Sequence, residues 1–228
     1  MRKWLVWLAL IPGWLGAVEP LFRDDFSSDL RHWVVEQQPG GAVAVVSNHL
    51  VIGDEGGCTV WLREALTAPV TISYTATVSS ERRVSDLNCF WMASDPAHPE
   101  NMFAPGHERD GKFARYDSLL TYYVGYGGNN NTTTRFRRYD GTGARPLLPQ
   151  HDLTAPKFLL QPDHAYRIVL VAGADGRVQF IRDGEVVFDW TDPQPLRRGW
   201  FGFRTVNSRI RISDFQVQAG VPAVAGGR

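Results

Sequence analysis

Hydrophobic and polar residues alternate over short runs along most of this chain, and turn residues separate the runs. Alternation with a period of two is typical of β-strands, and no long stretch keeps the 3.6-residue period of a helix. The alternation predicts twelve strands, at residues 43–46, 49–52, 59–62, 70–78, 88–93, 119–124, 133–139, 166–172, 177–182, 185–190, 199–205 and 210–218. We therefore expect an all-β protein.

Two of the turns have a specific signature. Asp175-Gly176 and Asp183-Gly184 are Asp-Gly pairs between predicted strands, a sequence that favours tight hairpins, so residues 166–190 should form three consecutive antiparallel strands. About a dozen strands without helical crossovers imply two packed sheets. The prediction is a two-sheet antiparallel β-sandwich of the jelly-roll type.

The ends of the chain differ from this pattern. Residues 1–17 begin with basic residues, continue as an apolar run and end at small residues typical of a signal-peptidase cleavage site. This pattern predicts a secretory signal peptide and an exported, periplasmic or extracellular protein. The alternative, an uncleaved membrane anchor, is disfavoured because Pro12 and Gly13 break a run already short for a bilayer. Residues 20–219 are then a single domain, and residues 220–228 form a disordered tail.

Charge and cysteine content narrow the partners. The formal net charge is zero, which argues against nucleic acid as a partner. Cys58 and Cys89 would form a disulfide in an exported chain or be two buried small hydrophobic residues, and the sequence leaves both open.

Residues 94–117 lack periodicity and are predicted to form a long loop, which in a compact domain is usually functional or disordered.

Residues 121–141, TYYVGYGGNNNTTTRFRRYDG, carry the densest group of candidate binding residues. Tyrosine hydroxyls and rings, asparagine amides and planar guanidinium groups together suit an acidic sugar. The candidates are Tyr122, Tyr123, Tyr126, Asn129, Asn130, Asn131, Arg135 and Arg137. The alternative is a β-hairpin whose glycine-asparagine tip is simply a tight turn and whose arginines face solvent.

Strand alternation adds further candidates. Arg135 and Arg137 should share one face of their strand, with Phe136 on the other. Arg204 should share a face with Trp200 and is a further candidate partner for a carboxylate if that face lines a groove. Which face is buried is not readable from the sequence.

The acidic residues occur singly. A retaining glycoside hydrolase needs two carboxylates about 5 Å apart, and no clustered acids of that kind are present. Asp86 is the best acidic candidate, because it heads the strand that carries Asn88 and Trp91; its alternative role is to cap backbone amides. His151 is a candidate base, although a lone histidine in a proline-flanked loop is more often structural.

Several runs resemble a known family. The segments LFRDDFSSDLRHWVVE, GCTVWLREAL, RVSDLNCFWMASDP and GWFGFRTVNSRIRISDFQV, together with the glycine-asparagine run, are similar to the bacterial YesU-like proteins over nearly the whole mature chain. That resemblance implies a concanavalin-A-like (LamG- or glucanase-type) jelly roll, often found in settings devoted to pectin or rhamnogalacturonan use. It indicates the fold more strongly than the activity.

Three functions are consistent with these residues. The leading hypothesis is a carbohydrate-active protein acting on uronate-containing polysaccharide by β-elimination, with Tyr123, Arg135, His151 and Asp86 as the catalytic candidates. The alternatives are a noncatalytic carbohydrate-binding module and a glycoside hydrolase that pairs Asp86 with Glu64 or Asp117. The expected partner is a poly- or oligosaccharide, with no stable membrane insertion after signal cleavage. No cofactor is predicted; a structural Ca²⁺ is compatible with such a sandwich, but no acidic loop is dense enough in oxygen ligands to predict one.

Overall fold

The computed structural model describes residues 19–221, so the predicted signal peptide and all but the first two residues of the predicted tail lie outside the described residues. Sixteen strands lie within residues 19–221. They are β1 (Phe22–Asp24), β2 (Trp33–Gln37), β3 (Ala42–Val46), β4 (His49–Gly53), β5 (Cys58–Leu62), β6 (Leu66–Thr67), β7 (Val70–Val78), β8 (Asn88–Ser94), β9 (Leu120–Gly127), β10 (Thr133–Asp140), β11 (Asp152–Leu153), β12 (Ala165–Ala172), β13 (Arg177–Arg182), β14 (Glu185–Thr191), β15 (Arg198–Thr205) and β16 (Arg209–Ala219). Short helical turns occur at Phe113–Tyr116, Gly128–Asn131, Pro149–His151 and Pro156–Phe158.

The strands form two antiparallel sheets of eight, so the predicted β-sandwich is confirmed. We call the first the back sheet, in the order β14-β13-β12-β7-β16-β4-β3, with β1 paired to β16. The second, the front sheet, has the order β11-β10-β9-β8-β15-β5-β2, with β6 paired to β15. Non-sequential neighbours such as β8 and β15 show the crossovers of a jelly roll rather than a simple meander.

All twelve predicted strands are present, and β12, β13 and β14 form the predicted antiparallel series. The sequence pattern missed β1, β2, β6 and β11. Three of these have only two or three residues, too few to show a period of two. In β2 a charged residue, Glu36, is buried and an apolar residue, Val35, is 40% exposed, so the strand lacks the expected pattern of buried apolar and exposed polar positions.

The main core lies between the sheets and is rich in aromatic residues. Trp33 packs against Phe203 and Phe215, with ring centroids 5.4 and 5.1 Å apart, and Tyr74 meets Phe203 edge-on at 5.0 Å. Such pairs add to the free energy gained by burying large apolar surfaces. Cys58 and Cys89 are both buried and free, which settles the alternative in favour of two small buried side chains.

A second, smaller core lies on the front sheet, on the face that points away from the back sheet; we call this the outer face. Trp61 stacks on Phe90 at 5.3 Å, Tyr116 stacks on Phe90 at 5.5 Å, and Trp61 and Tyr116 also contact each other at 6.1 Å. Tyr116 belongs to the connection between β8 and β9, so the predicted long loop folds back over part of its own sheet. It covers one half of the outer face and leaves the half near β9 and β10 open as a groove.

A buried ionic network fixes the loop there. Arg109 donates to Glu36 of β2 at 3.3 Å and to Asp95 at 2.8 Å, and all three side chains are at least nine-tenths buried. Glu36 also accepts a 2.9 Å hydrogen bond from the indole of Trp61. Removing one member of such a network leaves buried charge uncompensated, so the network holds the loop in a specific place on the sheet.

Candidate functional site

The open half of the outer face is a groove beside the β9–β10 hairpin, with a cavity volume of about 150 Å³. Strand alternation decides which side chains reach it. On β9, Tyr123 and Gly125 face outward, and on β10, Thr133, Arg135 and Arg137 do the same. Arg137 lies directly opposite Tyr123, and Arg135 opposite Gly125. The remaining lining residues are Asp86, Phe113, Gly128, Asn129 and Arg145.

Tyr123 forms much of the floor. A Cβ atom added to Gly125 would lie 3.2 Å from both the hydroxyl and a ring carbon of Tyr123, so the tyrosine lies across the bare backbone of Gly125. The ring is only 5% exposed, and burial raises the pKa of Tyr123 well above its usual value. At neutral pH the phenol therefore stays protonated, as a hydrogen-bond donor or general acid rather than a base.

The three groove arginines differ in what they already bind. Arg135 forms a bidentate pair with Asp152, with both N–O distances 2.9 Å. Arg145 pairs with Asp117 at 3.2 Å. Arg137 donates to the backbone carbonyl of Arg145, and within residues 19–221 no carboxylate oxygen lies within 4.0 Å of its guanidinium nitrogens. Arg137 is therefore the groove cation best able to receive a ligand carboxylate.

Asp86 closes one end of the groove and is already hydrogen-bonded. Its Oδ2 accepts from Arg83 at 2.5 Å and from Ser85 at 2.7 Å, and its Oδ1 accepts from Asn88 at 3.2 Å. Asp86 has a φ of 59°, which few non-glycine residues adopt. Among the lining residues it is the single carboxylate, because Asp117 lines a neighbouring cavity and Glu64 lies beside β6. The groove thus lacks the two facing carboxyls that glycoside hydrolysis requires.

Several sequence-predicted residues are placed away from the groove. Trp91, Tyr122 and Tyr126 point into the core between the sheets, because they occupy the inward positions of β8 and β9. Tyr122 donates its hydroxyl to Asp192 at 2.7 Å, which satisfies the buried polar end. These three predictions of direct sugar contact are therefore corrected: the aromatics contribute to the core, where a sugar cannot reach them.

The structure places His151, the predicted catalytic base, outside the groove. It is buried behind β10 in an aromatic surround, with Phe136 at 5.0 Å, Phe188 at 5.9 Å and Trp190 at 6.3 Å. Phe136 points to the inner side of β10, opposite to Arg135 and Arg137. His151 does not line the groove; it lines a second cavity of about 210 Å³, which Arg137 also lines, and burial lowers its pKa.

The three asparagines of the hairpin tip have different surroundings. Asn129 lines the groove. Asn130 is exposed and accepts from Arg83 at 2.6 Å. Asn131 exchanges two hydrogen bonds with the backbone of Leu160, at 2.9 and 2.8 Å, so its amide is committed to holding the tip. The predicted tight turn is present, since all three adopt positive φ. The Asn129 amide nitrogen donates to Thr132 at 3.2 Å, and no hydrogen bond within residues 19–221 engages its side-chain oxygen, which can accept from a ligand.

Asn88 and Arg204 lie opposite each other on the outer face and are both buried, Arg204 beneath the β8–β9 loop. Phe113 and Arg145, which no sequence pattern singled out, also line the groove. Both come from loops, where no periodicity indicates which way a side chain points.

No group of three or more His, Cys, Asp or Glu side chains in residues 19–221 converges as a metal site. No helix in the same range is long and apolar enough to cross a membrane.

The two-sheet architecture and its non-sequential strand order define a jelly-roll β-sandwich. A family model matches residues 52–215, and the chain belongs to that family, described as a domain of unknown function, DUF6250. No curated protein matches the chain.

Solved structures share the fold. A protein of unknown function with a galectin-like fold from Bacillus subtilis has a TM-score of 0.71 at 19% identity, covering 91% of this chain and 100% of that one. Carbohydrate-binding module CBM66 from Bacillus subtilis gives 0.57 at 13%, covering 82% and 96%. An endo-β-1,3-glucanase from Pyrococcus furiosus gives 0.58 at 11%, covering 90% and 96%. At these identities the similarity establishes the fold alone.

Proposed function

We propose that the outer-face groove binds an acidic saccharide through its carboxylate, with Arg137 as the charged partner. The observation that carries this proposal is the partly buried guanidinium of Arg137, which has no carboxylate partner in the described part of the chain and lies beside the phenol of Tyr123. A guanidinium presents a planar fork that matches a carboxylate. Two of the structural neighbours are named as a carbohydrate-binding module and a glucanase, which supports a saccharide as the ligand class.

The size and lining of the groove favour a single sugar unit. Its volume of about 150 Å³ is below the range typical of sites that enclose a drug-sized ligand. Tyr123 supplies a hydroxyl and a ring edge, and Asn129 supplies an amide at the rim. Those groups can hydrogen-bond the ring hydroxyls while Arg137 holds the acid. The proposed ligand is a uronate-containing polysaccharide of the pectin or rhamnogalacturonan type, in keeping with the resemblance to YesU-like proteins.

The same geometry favours noncatalytic saccharide binding over catalysis of β-elimination. β-Elimination needs a group to neutralise the carboxylate, a base for the C5 proton and an acid for the leaving oxygen. Arg137 and the protonated Tyr123 fit the first and third roles. The two candidate bases fit less well, because His151 is not among the residues that line the groove and Asp86 is held by Arg83, Ser85 and Asn88. Noncatalytic binding is thus the first candidate, and elimination with Tyr123 as the acid is the second. Either function fits an exported protein.

Calorimetry with matched ligands tests the proposal. Galacturonate and oligogalacturonides should bind, and the same sugars with their carboxyls reduced to alcohols should bind at least about tenfold more weakly, as expected when a charged hydrogen bond is lost. Equal binding of both forms, or binding of neither, would overturn the assignment. Absorbance near 235 nm in the same mixtures separates the two candidates: a rise shows the unsaturated product of elimination, and a flat trace with binding shows a binding protein.

A further inference from the structure

Arg204 is a buried cation without an acidic partner. The residue is 1% exposed, and no carboxylate oxygen within residues 19–221 lies within 4.0 Å of its nitrogens. One of its nitrogens donates to Thr59 at 2.9 Å and to the carbonyl of Gly111 at 3.0 Å. Its Nε has no hydrogen-bond partner. Burying a charge without a counter-ion is costly, so an anion supplied by a ligand would stabilise this guanidinium.

A second orphaned polar atom lies next to it. Asn88 of β8 is directly opposite Arg204 of β15, and its side-chain oxygen is buried without a partner. The amide nitrogen of Asn88 is already bound to Asp86, which lines the groove. Arg204 Nε is thus an unused donor and Asn88 Oδ1 an unused acceptor, both on the outer face of the front sheet. A sugar unit carrying both a carboxylate and hydroxyls could satisfy both atoms.

Two aromatic rings of the β8–β9 loop cover Arg204: Phe113, and Tyr116 with its centroid 5.0 Å from the guanidinium carbon. Phe113 lines the groove, and its ring centroid lies 4.7 Å from the guanidinium carbon of Arg204 and 5.0 Å from that of Arg145. The same ring packs against Tyr123 at 5.5 Å. Phe113 is partly buried and belongs to the loop, outside the sheet. Of the two rings that cover Arg204, Phe113 is the one that also lines the groove.

We propose that Arg204 is a second carboxylate subsite, which the groove reaches when Phe113 is displaced. This inference rests on the proposed function and makes it more specific. Arg137 receives the carboxylate of one uronate, and Arg204 receives that of the next unit along the chain. The ligand is then a run of consecutive uronates rather than isolated uronates spaced by neutral sugars. Phe113 covers the second guanidinium while the subsite is empty, through a cation–π contact that partly offsets the missing anion.

The ratio of disaccharide to monosaccharide affinity tests this subsite. Calorimetry on the mature protein with galacturonate and digalacturonate should give the disaccharide an advantage of about tenfold or more, as expected for one added charged contact. Arg204→Met should remove most of that advantage, and Arg204→Lys should restore part of it. Arg177→Met, on the exposed end of the back sheet, is the matched charge control and should leave the ratio unchanged. An unchanged ratio in Arg204→Met would overturn the subsite while the proposed function stands.

Chemical labelling provides a readout that does not depend on an Arg204 variant folding. Phenylglyoxal modification, mapped by mass spectrometry, should reach Arg204 faster in Phe113→Ala than in the unaltered protein, and digalacturonate should protect it more than galacturonate does. Equal protection by the two sugars, or an unreactive Arg204 in Phe113→Ala, would overturn the inference. If neither sugar binds the unaltered protein, the proposed function fails and the subsite fails with it.

Discussion

Tyr123 and Arg137 lie directly opposite each other on β9 and β10, on the side of the front sheet that faces away from the core. This pairing places a protonated phenol beside a guanidinium that no carboxylate in residues 19–221 neutralises. Arg135, two residues away on the same face, is instead matched by Asp152. The two arginines thus share a face but differ in the charge available to a ligand.

The space for Tyr123 depends on Gly125. A Cβ at position 125 would meet the Tyr123 ring and hydroxyl at 3.2 Å, closer than ordinary contact, so Gly125→Ala should push the phenol out of place. We expect affinity for galacturonate to fall severalfold, while the free energy of unfolding changes by about 1 kcal/mol or less. Gly53→Ala is the matched control, because its nearest atom is 4.0 Å away. Equal affinities for the two variants would contradict the placement of Tyr123 in the site.

The loop that covers the outer face depends on Arg109. Arg109→Met leaves Glu36 and Asp95 buried without their cation, and breaking a buried pair in this way costs about 3–5 kcal/mol. Arg115→Met, in the same loop but paired with Glu108 in solvent, should cost about 1 kcal/mol or less. Urea unfolding measures both. A small loss for Arg109→Met would show that the network does not fix the loop.

His151 should make stability fall on acidification. Burial among Phe136, Phe188 and Trp190 lowers its pKa in the folded protein, whereas the unfolded chain has a value of about 6.5. The unfolded state therefore takes up a proton first, and this stabilising contribution, present above about pH 6.5, is lost as the pH falls through the lower folded pKa. In His151→Phe, unfolding midpoints between pH 7 and pH 5 should fall less than in the unaltered protein. A parallel fall in both proteins would rule out this role.

Alkaline pH should destabilise the fold through its buried tyrosines. Burial raises the pKa of Tyr123 and Tyr139 in the folded state above the unfolded value of about 10. Their contribution is present below pH 10 and is lost as the pH rises above it, because only the unfolded chain then ionises readily. Phenolate absorbance near 295 nm should therefore rise together with loss of structure. Tyrosinate formation well before unfolding would show that these side chains are accessible.

The alternation of hydrophobic and polar positions predicted most of the strands and some of the residues that line the groove. The period of two placed Arg135 and Arg137 on one face of β10, as the structure shows, since that rule depends only on strand geometry. It could not show that Tyr122 and Tyr126 face the core, because a tyrosine is apolar enough to be buried on either face. Phe113 was missed for another reason: its loop has no period, and its position depends on tertiary contacts.

The measurement that tests the central claim most directly is a calorimetric comparison of Arg137→Met with Arg177→Met, using galacturonate and its carboxyl-reduced form. Arg177 is exposed and paired with Asp189, so both variants lose one positive charge but only one alters the groove. We predict that Arg137→Met weakens galacturonate binding by about tenfold or more and leaves the reduced sugar nearly unaffected, because the charged contact is specific to the acid. Arg177→Met should change neither affinity. Equal losses for the acid in both variants, or no loss in Arg137→Met, would contradict the account.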